Sequence, residues 1–383
     1  MKYHHNPMVQ FYKKHNITTD HHRNDSKRHI MIREKLYRTL GLPPVQFYKK
    51  EILDIGPGRG YNALANFHWG ASVHFVEPNP QAQRGLEKLM EEKTISKKRW
   101  RLFKQKIEDF TPFQKYDLVF AEGFLPGIYN RKAIIKKITQ LVNVGGIVVV
   151  TCMDDLSFFL ELLKRILAIR LMYIKTPKTF EEKLKLLSRA FSSHLKTLKH
   201  ATRTVKDWIV DTFLCPSIYA DLFSIEECLK DFGNNFMLYG SSPSIFTDYS
   251  WYKDLSYTHR KSIIEQFHSK RHMFMLNGMK ESLRDPKDNQ ELASMAFDLR
   301  KLCEKFEKEQ NHAILKKIIK TLKNIRLHTS QIDERISEAI EECICLLRDL
   351  DLNALKISSC KIKHLFGKGV QYVSLVKQDI YHC

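Results

Sequence analysis

The chain has 383 residues, 43% hydrophobic and 28% charged, a composition that supports two or three folded domains and excludes a largely disordered chain. Its 15 Gly and 12 Pro are too few for a collagenous or proline-rich scaffold and favour helix. The net charge of +20 is concentrated early: residues 1–150 carry 26 Lys or Arg against 13 Asp or Glu, residues 151–215 carry 12 against 7, and residues 216–383 carry 25 against 23.

Residues 1–20 are polar and His-rich, and they predict a flexible arm over 1–21. At 27–40, KRHIMIREKLYRTL sets Ile30, Ile32, Leu36 and Leu40 on a helical stripe that ends at Gly41, Pro43 and Pro44. Ile52, Leu53 and Ile55 make a short apolar strand, and glycines follow at once. The pattern then predicts a helix at 61–68, a strand at 72–77 and a helix at 80–92 with Leu86 and Leu89 on its buried face. A weaker strand at 99–105, a clear one at 116–121 and a helix at 131–142 come next. After a turn at 143–146, the β-branched run IVVVTC at 147–152 suits a central parallel strand buried on both faces. Strands separated by helices of this length mean βαβ units and a parallel sheet.

Residues 156–212 read almost wholly as helix, broken at Pro177. A helix at 224–232, a short strand at 236–240 and an aromatic link at 241–252 follow. A second helical block spans 258–358. Ile314, Leu315, Ile318, Ile319, Leu322 and Ile325 form one stripe in it, and Ile332, Ile336, Ile340, Cys343, Leu347 and Leu350 form another. The polar run LHTSQID between them predicts a helical hairpin or small bundle. Alternation returns at 367–379, GKGVQYVSLVKQD. A lone strand must join a sheet, and the simplest partner is 236–240. The domain plan is therefore a core at 22–155, 217–249 and 366–383, with helical insertions at 156–216 and 250–365 that pack together into one cap.

The eight cysteines are far below the density of a disulfide scaffold. No signal-peptide pattern opens the sequence, so reduced thiols and a cytoplasmic location are expected. The greasiest stretch, 156–174, is interrupted by Glu161, Lys164, Arg165 and Arg170, too many charges for a spanning helix. Glu265, His268 and His272 share one helical face, but no Cys pair or HExxH pattern supports a metal site there. Cys343 and Cys345 point apart on their helix and do not make a redox pair. His21, His22 and Arg23, just before the first helix, are candidates to close over a ligand carboxylate.

The chemistry centres on 54–60, DIGPGRG, which follows a strand and opens a helix. Glycines there let the chain turn sharply and bring backbone close to a ligand. The dinucleotide spacing fails, since Tyr61 stands where a third glycine would fall, and no Gly-Lys-Ser/Thr makes a P-loop. Glu77, 23 residues after Asp54, can accept both hydroxyls of a ribose.

In order, EILDIGPGRG, VHFVEPNP, QKIEDF and YDLVFAEGF resemble a class I S-adenosylmethionine-dependent methyltransferase. The resemblance implies an α/β, Rossmann-like sheet of seven strands, with GGIVVVTC as the fifth and 236–240 with 370–376 as a terminal antiparallel pair. It implies S-adenosyl-L-methionine as cofactor. Asp54, Gly56, Pro57, Gly58 and Gly60 would wrap its methionine part, with Pro57 in place of the usual small residue. Glu77, followed by Pro78, would hold the ribose. Ile107 and Glu108 would flank the adenine with Asp109 beside them, and Ala121, Glu122 and Gly123 would lie beside the donor sulfur. Glu122 is the candidate catalytic residue, for proton abstraction or substrate orientation.

The leading expectation is methyl transfer by in-line displacement to a small or lipid-like molecule held between the sheet edge and the cap. Phe158, Phe159, Leu163, Ile166, Leu167 and Leu171 cover a wide apolar arc, with Arg165 and Arg170 placed to meet an anionic head. One alternative is RNA or DNA methylation, suggested by the basic residues 1–215, although 122–125 lacks the N/D-P-P-Y/F tetrad. Another is a cofactor-binding scaffold that presents a helical interaction surface.

Overall fold

A computed structural model describes residues 7–15, 17, 25–199, 201, 203–254 and 259–379. His21, His22, Arg23 and Cys383 lie outside these residues. The strands are β1 Glu51–Ile55, β2 Ser72–Val76, β3 Trp100–Phe103, β4 Tyr116–Ala121, β5 Val142–Cys152, β6 Phe236–Ser242 and β7 Gln371–Lys377. The helices are α1 Pro7–His15, α2 Ser26–Thr39, α3 Ala63–His68, α4 Pro80–Glu92, α5 Arg131–Leu141, α6 Phe159–Lys175, α7 Phe180–Thr197, α8 Val205–Ile209, α9 Ile225–Phe232, α10 His259–Lys270, α11 Pro286–Glu309, α12 His312–Thr329, α13 Glu334–Arg348 and α14 Ala354–Ser359. None of them, among the described residues, is long and apolar enough to cross a membrane.

The chain divides into two units. One comprises Met1–Met153, Ala220–Ile264 and Gln371–Cys383, and the other Asp154–Tyr219 and Glu265–Val370.

The first unit holds a single seven-stranded sheet of order β3-β2-β1-β4-β5-β7-β6. The strands β1 to β5 pair in parallel, and β7 runs antiparallel to both neighbours. This is the seven-stranded Rossmann-like sheet with a terminal antiparallel pair that the resemblance implied. The late alternating segment sits where expected, with Val150 opposite Val373 on one side and Ser241 opposite Val373 on the other. The turn expected at 143–146 lies instead within β5, which begins at Val142 and shifts register opposite Tyr116 and Leu118. Ile52, Val73, Phe75, Phe120 and Val149 are fully or almost fully buried in the core of this unit, together with Tyr37, Phe47 and Leu86.

One helical expectation holds only in part: Leu40 is fully buried and Leu36 packs against the core, but Ile32 is turned out. The buried face of α2 is His29, Arg33 and Tyr37, at i, i+4 and i+8. Ile32 is 39% exposed and Met31 is 68% exposed. The polar face turns inward because Arg33 and Tyr37 find their partners in the sheet unit, as described below.

In the second unit the two helical blocks pack on one another, with α6 against α11 and α13, and α7 against α14. Every residue of α6 from Phe159 to Leu171 is buried. The wide apolar arc is therefore consumed by packing within its own unit. Arg165 is equally enclosed: its Nη1 donates to the carbonyls of Thr212 and Cys215 at 3.0 and 2.9 Å, its Nε to the Tyr219 hydroxyl at 2.8 Å, and its Nη2 to Glu307 at 3.0 Å. Arg170 is only 5% exposed. Neither arginine is open to an anionic head, so that support for a lipid-like ligand falls. Lys164 donates to the Leu365 carbonyl and lies over the Phe366 ring, and burial lowers its pKa to about 8. Arg271 pairs with Asp154 and Arg300 with Asp155, each at 2.7 Å through Nε. Leu350, expected on a buried stripe, is 77% exposed because α13 ends at Arg348. His272 is buried and bonds Ser282 and Asn289. Among the described residues no group of His, Cys, Asp or Glu is arranged to hold a metal ion. Cys343 is buried and Cys345 exposed, and no described cysteine is in a disulfide.

Candidate functional site

The site lies at the carboxyl ends of β1, β2 and β4, where the parallel strands release their loops. After β1 the chain turns through 56–60, and the Gly56 N–H donates back to the Val76 carbonyl at 2.9 Å. Gly58 has φ +58°, and a Cβ there would meet no atom within 4 Å. That side of the turn is open backbone, free for a ligand to approach. Gly60 has φ +75°, and a Cβ would come within 3.0 Å of Leu86.

Glu77 is 6% exposed and binds this turn directly. Its Oε2 accepts from the Gly58 N–H at 3.1 Å and its Oε1 from the Asn79 N–H at 2.8 Å. Burial raises its pKa, and these two hydrogen bonds pull it back. Each oxygen keeps a lone pair for a further donor. Gln83 fixes the backbone by donating to the Glu77 carbonyl at 2.7 Å. Pro78 is exposed, and Asn79 after it caps α4 by accepting from Gln81 at 3.0 Å.

Asp54, at the end of β1, is 6% exposed, and no described residue donates a hydrogen bond to its carboxylate. Burial raises its pKa to about 8; Glu122 adds to the rise, Arg33 opposes it, and Glu77 adds further.

Beyond β4, Ala121 is fully buried and the Gly123 N–H donates to Thr151 Oγ1 at 2.9 Å. Glu122 between them is saturated. Arg33 Nη2 donates to its Oε1 at 2.5 Å and to its Oε2 at 2.6 Å, the Tyr37 hydroxyl to Oε1 at 3.2 Å, and Asn62 Nδ2 to Oε2 at 3.1 Å. Arg33 Nη2 also donates to the Tyr37 hydroxyl. The guanidinium lies 4.5 Å from the Tyr37 ring centroid and 5.8 Å from that of Tyr372. Burial works against the Arg33 charge, but Glu122 and the tyrosines more than offset it, and its pKa stands well above the ordinary value.

The structure thus brings together Asp54, the turn with Gly56, Pro57, Gly58 and Gly60, Glu77, and Ala121 to Gly123. Ile107 is buried on the loop after β3, while Glu108 and Asp109 are exposed. No described hydrogen bond or ion pair joins those two acids to the cluster. Sequence reasoning missed Arg33, Tyr37, Asn62 and Thr151. The available signal was the i, i+4, i+8 spacing of His29, Arg33 and Tyr37.

A family model described as a methyltransferase domain matches residues 25–206. No curated protein matches the chain. Among solved structures, the YcgJ protein from Bacillus subtilis is similar at 15% identity, over 37% of this chain and 59% of its own, with a TM-score of 0.30. TehB from Haemophilus influenzae is similar at 21% identity, over 39% and 46% of the two chains, with a TM-score of 0.26. The glycopeptide N-methyltransferase MtfA, solved with S-adenosyl-L-methionine, is similar at 14% identity, over 28% and 50%, with a TM-score of 0.26. The matches take in only about half of each of these solved chains.

Proposed function

We propose that the protein is an S-adenosylmethionine-dependent methyltransferase acting on a small-molecule acceptor. The carrying observation is the cradle formed by the Gly58–Glu77 hydrogen bond and the Asp54 carboxyl group, to which no described residue donates, at the ends of β1 and β2. These residues fit the cofactor: Glu77 has lone pairs left for two ribose hydroxyls, Asp54 lacks the donor that an ammonium group brings, and the open face of Gly58 admits the methionine part. Ile107 offers an apolar surface to the adenine, with Glu108 and Asp109 at its exposed edge. When bound, the cofactor supplies a methyl group activated by a sulfonium.

The protein's part is to bind and orient, since bringing donor and acceptor into near-attack geometry supplies much of such a rate without a base. Ala121, paired with Val150, and Gly123, bonded to Thr151, order the wall beside that position. The enclosure of α6 removes the argument for a lipid, so the acceptor reading narrows to a small molecule. The basic charge of residues 1–215 favours nucleic acid as the second reading. Incubation with labelled cofactor and metabolite extract, RNA or DNA tests both. Label in the small-molecule fraction supports the proposal. Label in RNA or DNA alone, falling steeply with salt as phosphate contacts are lost, overturns the acceptor class. Absence of cofactor binding by calorimetry overturns the enzyme reading itself.

A further inference from the structure

The methyltransferase reading left Glu122 with two roles, base or orienting group. The geometry around it separates them. Its two oxygens receive donors from Arg33, Tyr37 and Asn62, on α2 and next to α3, so no lone pair stands ready for an acceptor proton. Arg33 is 4% exposed and spends only Nη2 on these bonds, while its Nε is buried without a hydrogen-bond partner. The charged groups that act on Asp54 are Glu122, Arg33 and Glu77, and the Tyr37 hydroxyl accepts from Arg33. In this group one cation stands against three carboxyl groups.

We propose that Arg33 is a positioning and specificity residue of the site: it withdraws Glu122 from proton transfer by saturating it, and it sets the charge balance through which the site distinguishes a sulfonium ligand from its neutral thioether. The proposal rests on the methyltransferase reading. It makes α2 part of the site and not merely a helix packed on the sheet. It also makes Glu122 and Arg33 opposing controls on one quantity. Removing the carboxylate leaves the site less negative and weakens a cation relative to a neutral ligand of the same shape. Removing the guanidinium does the reverse.

The experiment compares S-adenosylmethionine with S-adenosylhomocysteine, which differ at the sulfur by one methyl and one charge. Calorimetry gives both dissociation constants for the wild type and for the Arg33→Met, Arg33→Lys, Glu122→Gln and Arg33→Met/Glu122→Gln variants, each checked for folding by circular dichroism. The expected shift in relative affinity for the cation is about tenfold upward in Arg33→Met and about tenfold downward in Glu122→Gln, the scale of one unit charge acting across a partly buried site. The double variant and Arg33→Lys should return within about twofold of the wild type, because the net charge is restored or kept. A purely structural pair would weaken both ligands alike and leave the ratio unmoved, and that result in folded variants overturns the proposal. If Arg33→Met does not fold, Glu122→Gln alone decides, since its ratio must fall. Failure of the wild type to bind either ligand would instead overturn the methyltransferase reading on which the proposal stands.

Discussion

Arg33 in the sheet unit and Arg165 in the helical unit are both buried arginines on helices, and they end in opposite chemical situations. Arg165 is matched throughout by its own chain, with Nε, Nη1 and Nη2 all bonded to carbonyls, a tyrosine and Glu307. Arg33 uses a single nitrogen, and its charge acts on Asp54, a carboxyl group to which no described residue donates. The difference separates charge buried for architecture from charge buried for a ligand. A buried ion pair by itself is weak evidence of either. What distinguishes these two side chains is that all three donor nitrogens of Arg165 are bonded, whereas Arg33 Nε is buried without a hydrogen-bond partner.

The comparison breaks first at Arg165. Its replacement by Met strands Glu307 and two backbone carbonyls, and it should cost about 3–5 kcal/mol in denaturant unfolding, with cofactor affinity unchanged in the protein that remains folded. An equal loss of affinity would show that Arg165 also serves the site. Glu77→Ala should do the opposite, weakening S-adenosylmethionine by about 1.5–3 kcal/mol, the scale of hydrogen bonds to a charged group. Unchanged affinity by calorimetry in a folded Glu77→Ala protein would remove Glu77 from the cradle.

Asp54 sharpens the contrast through pH. Its pKa in the folded protein is about 8, against about 3.9 for an unfolded aspartate. The folded state therefore binds the extra proton between these values. The associated stability is full below about pH 4 and is lost as pH rises through about 8. Asp54→Asn cannot ionise, so the ligand-free variant should exceed the wild type at pH 8.5 by about 5 kcal/mol, with little difference at pH 4. Its cofactor affinity should fall. Higher stability with weaker binding is the signature of a group kept for a ligand. Melting curves that coincide at pH 8.5 would contradict it.

The smallest effect belongs to the helical unit and has the other sign. His194 donates to the Ile357 carbonyl at 2.9 Å, and burial lowers its pKa to about 3. Its stabilising contribution is present above about pH 6.5, the unfolded value, and is lost as pH falls toward about 3. Between pH 7 and pH 5.5 this should cost about 1 kcal/mol in the wild type, and His194→Gln should flatten the dependence.

The strands, the glycine turn and Glu77 were legible because their signals are local: period-two or β-branched runs, glycines immediately after a strand, and a carboxylate at the next strand's end. The inserted β7 was also readable, since alternation after a long helical stretch has no other home. The partners of the two arginines were not readable. Arg33 meets Glu122 across 89 residues of sequence, and Arg165 meets Glu307 across 142. Polar residues at helical spacing look like a solvent face until those distant partners are known, which is why Arg33 and Tyr37 are not legible as part of the buried face of α2. The same non-locality hid the saturation of Glu122.

The insertion of β7 between β5 and β6 has a consequence for synthesis. Strand β7 lies after Glu265–Val370 in the chain. A nascent polypeptide must therefore emit that whole segment before the strand that separates β5 from β6 exists. At 5–20 residues per second this is a delay of roughly 5–20 s. During it, β5 presents an unpaired edge of Val148, Val149 and Val150, which is the kind of template that recruits a second chain. The helical unit is completed only at the end of that interval, since α7 packs on α14 and the unit runs to Val370. The sheet is closed last, by seven residues, and the ribosome-bound protein is most exposed to misassembly just before they arrive.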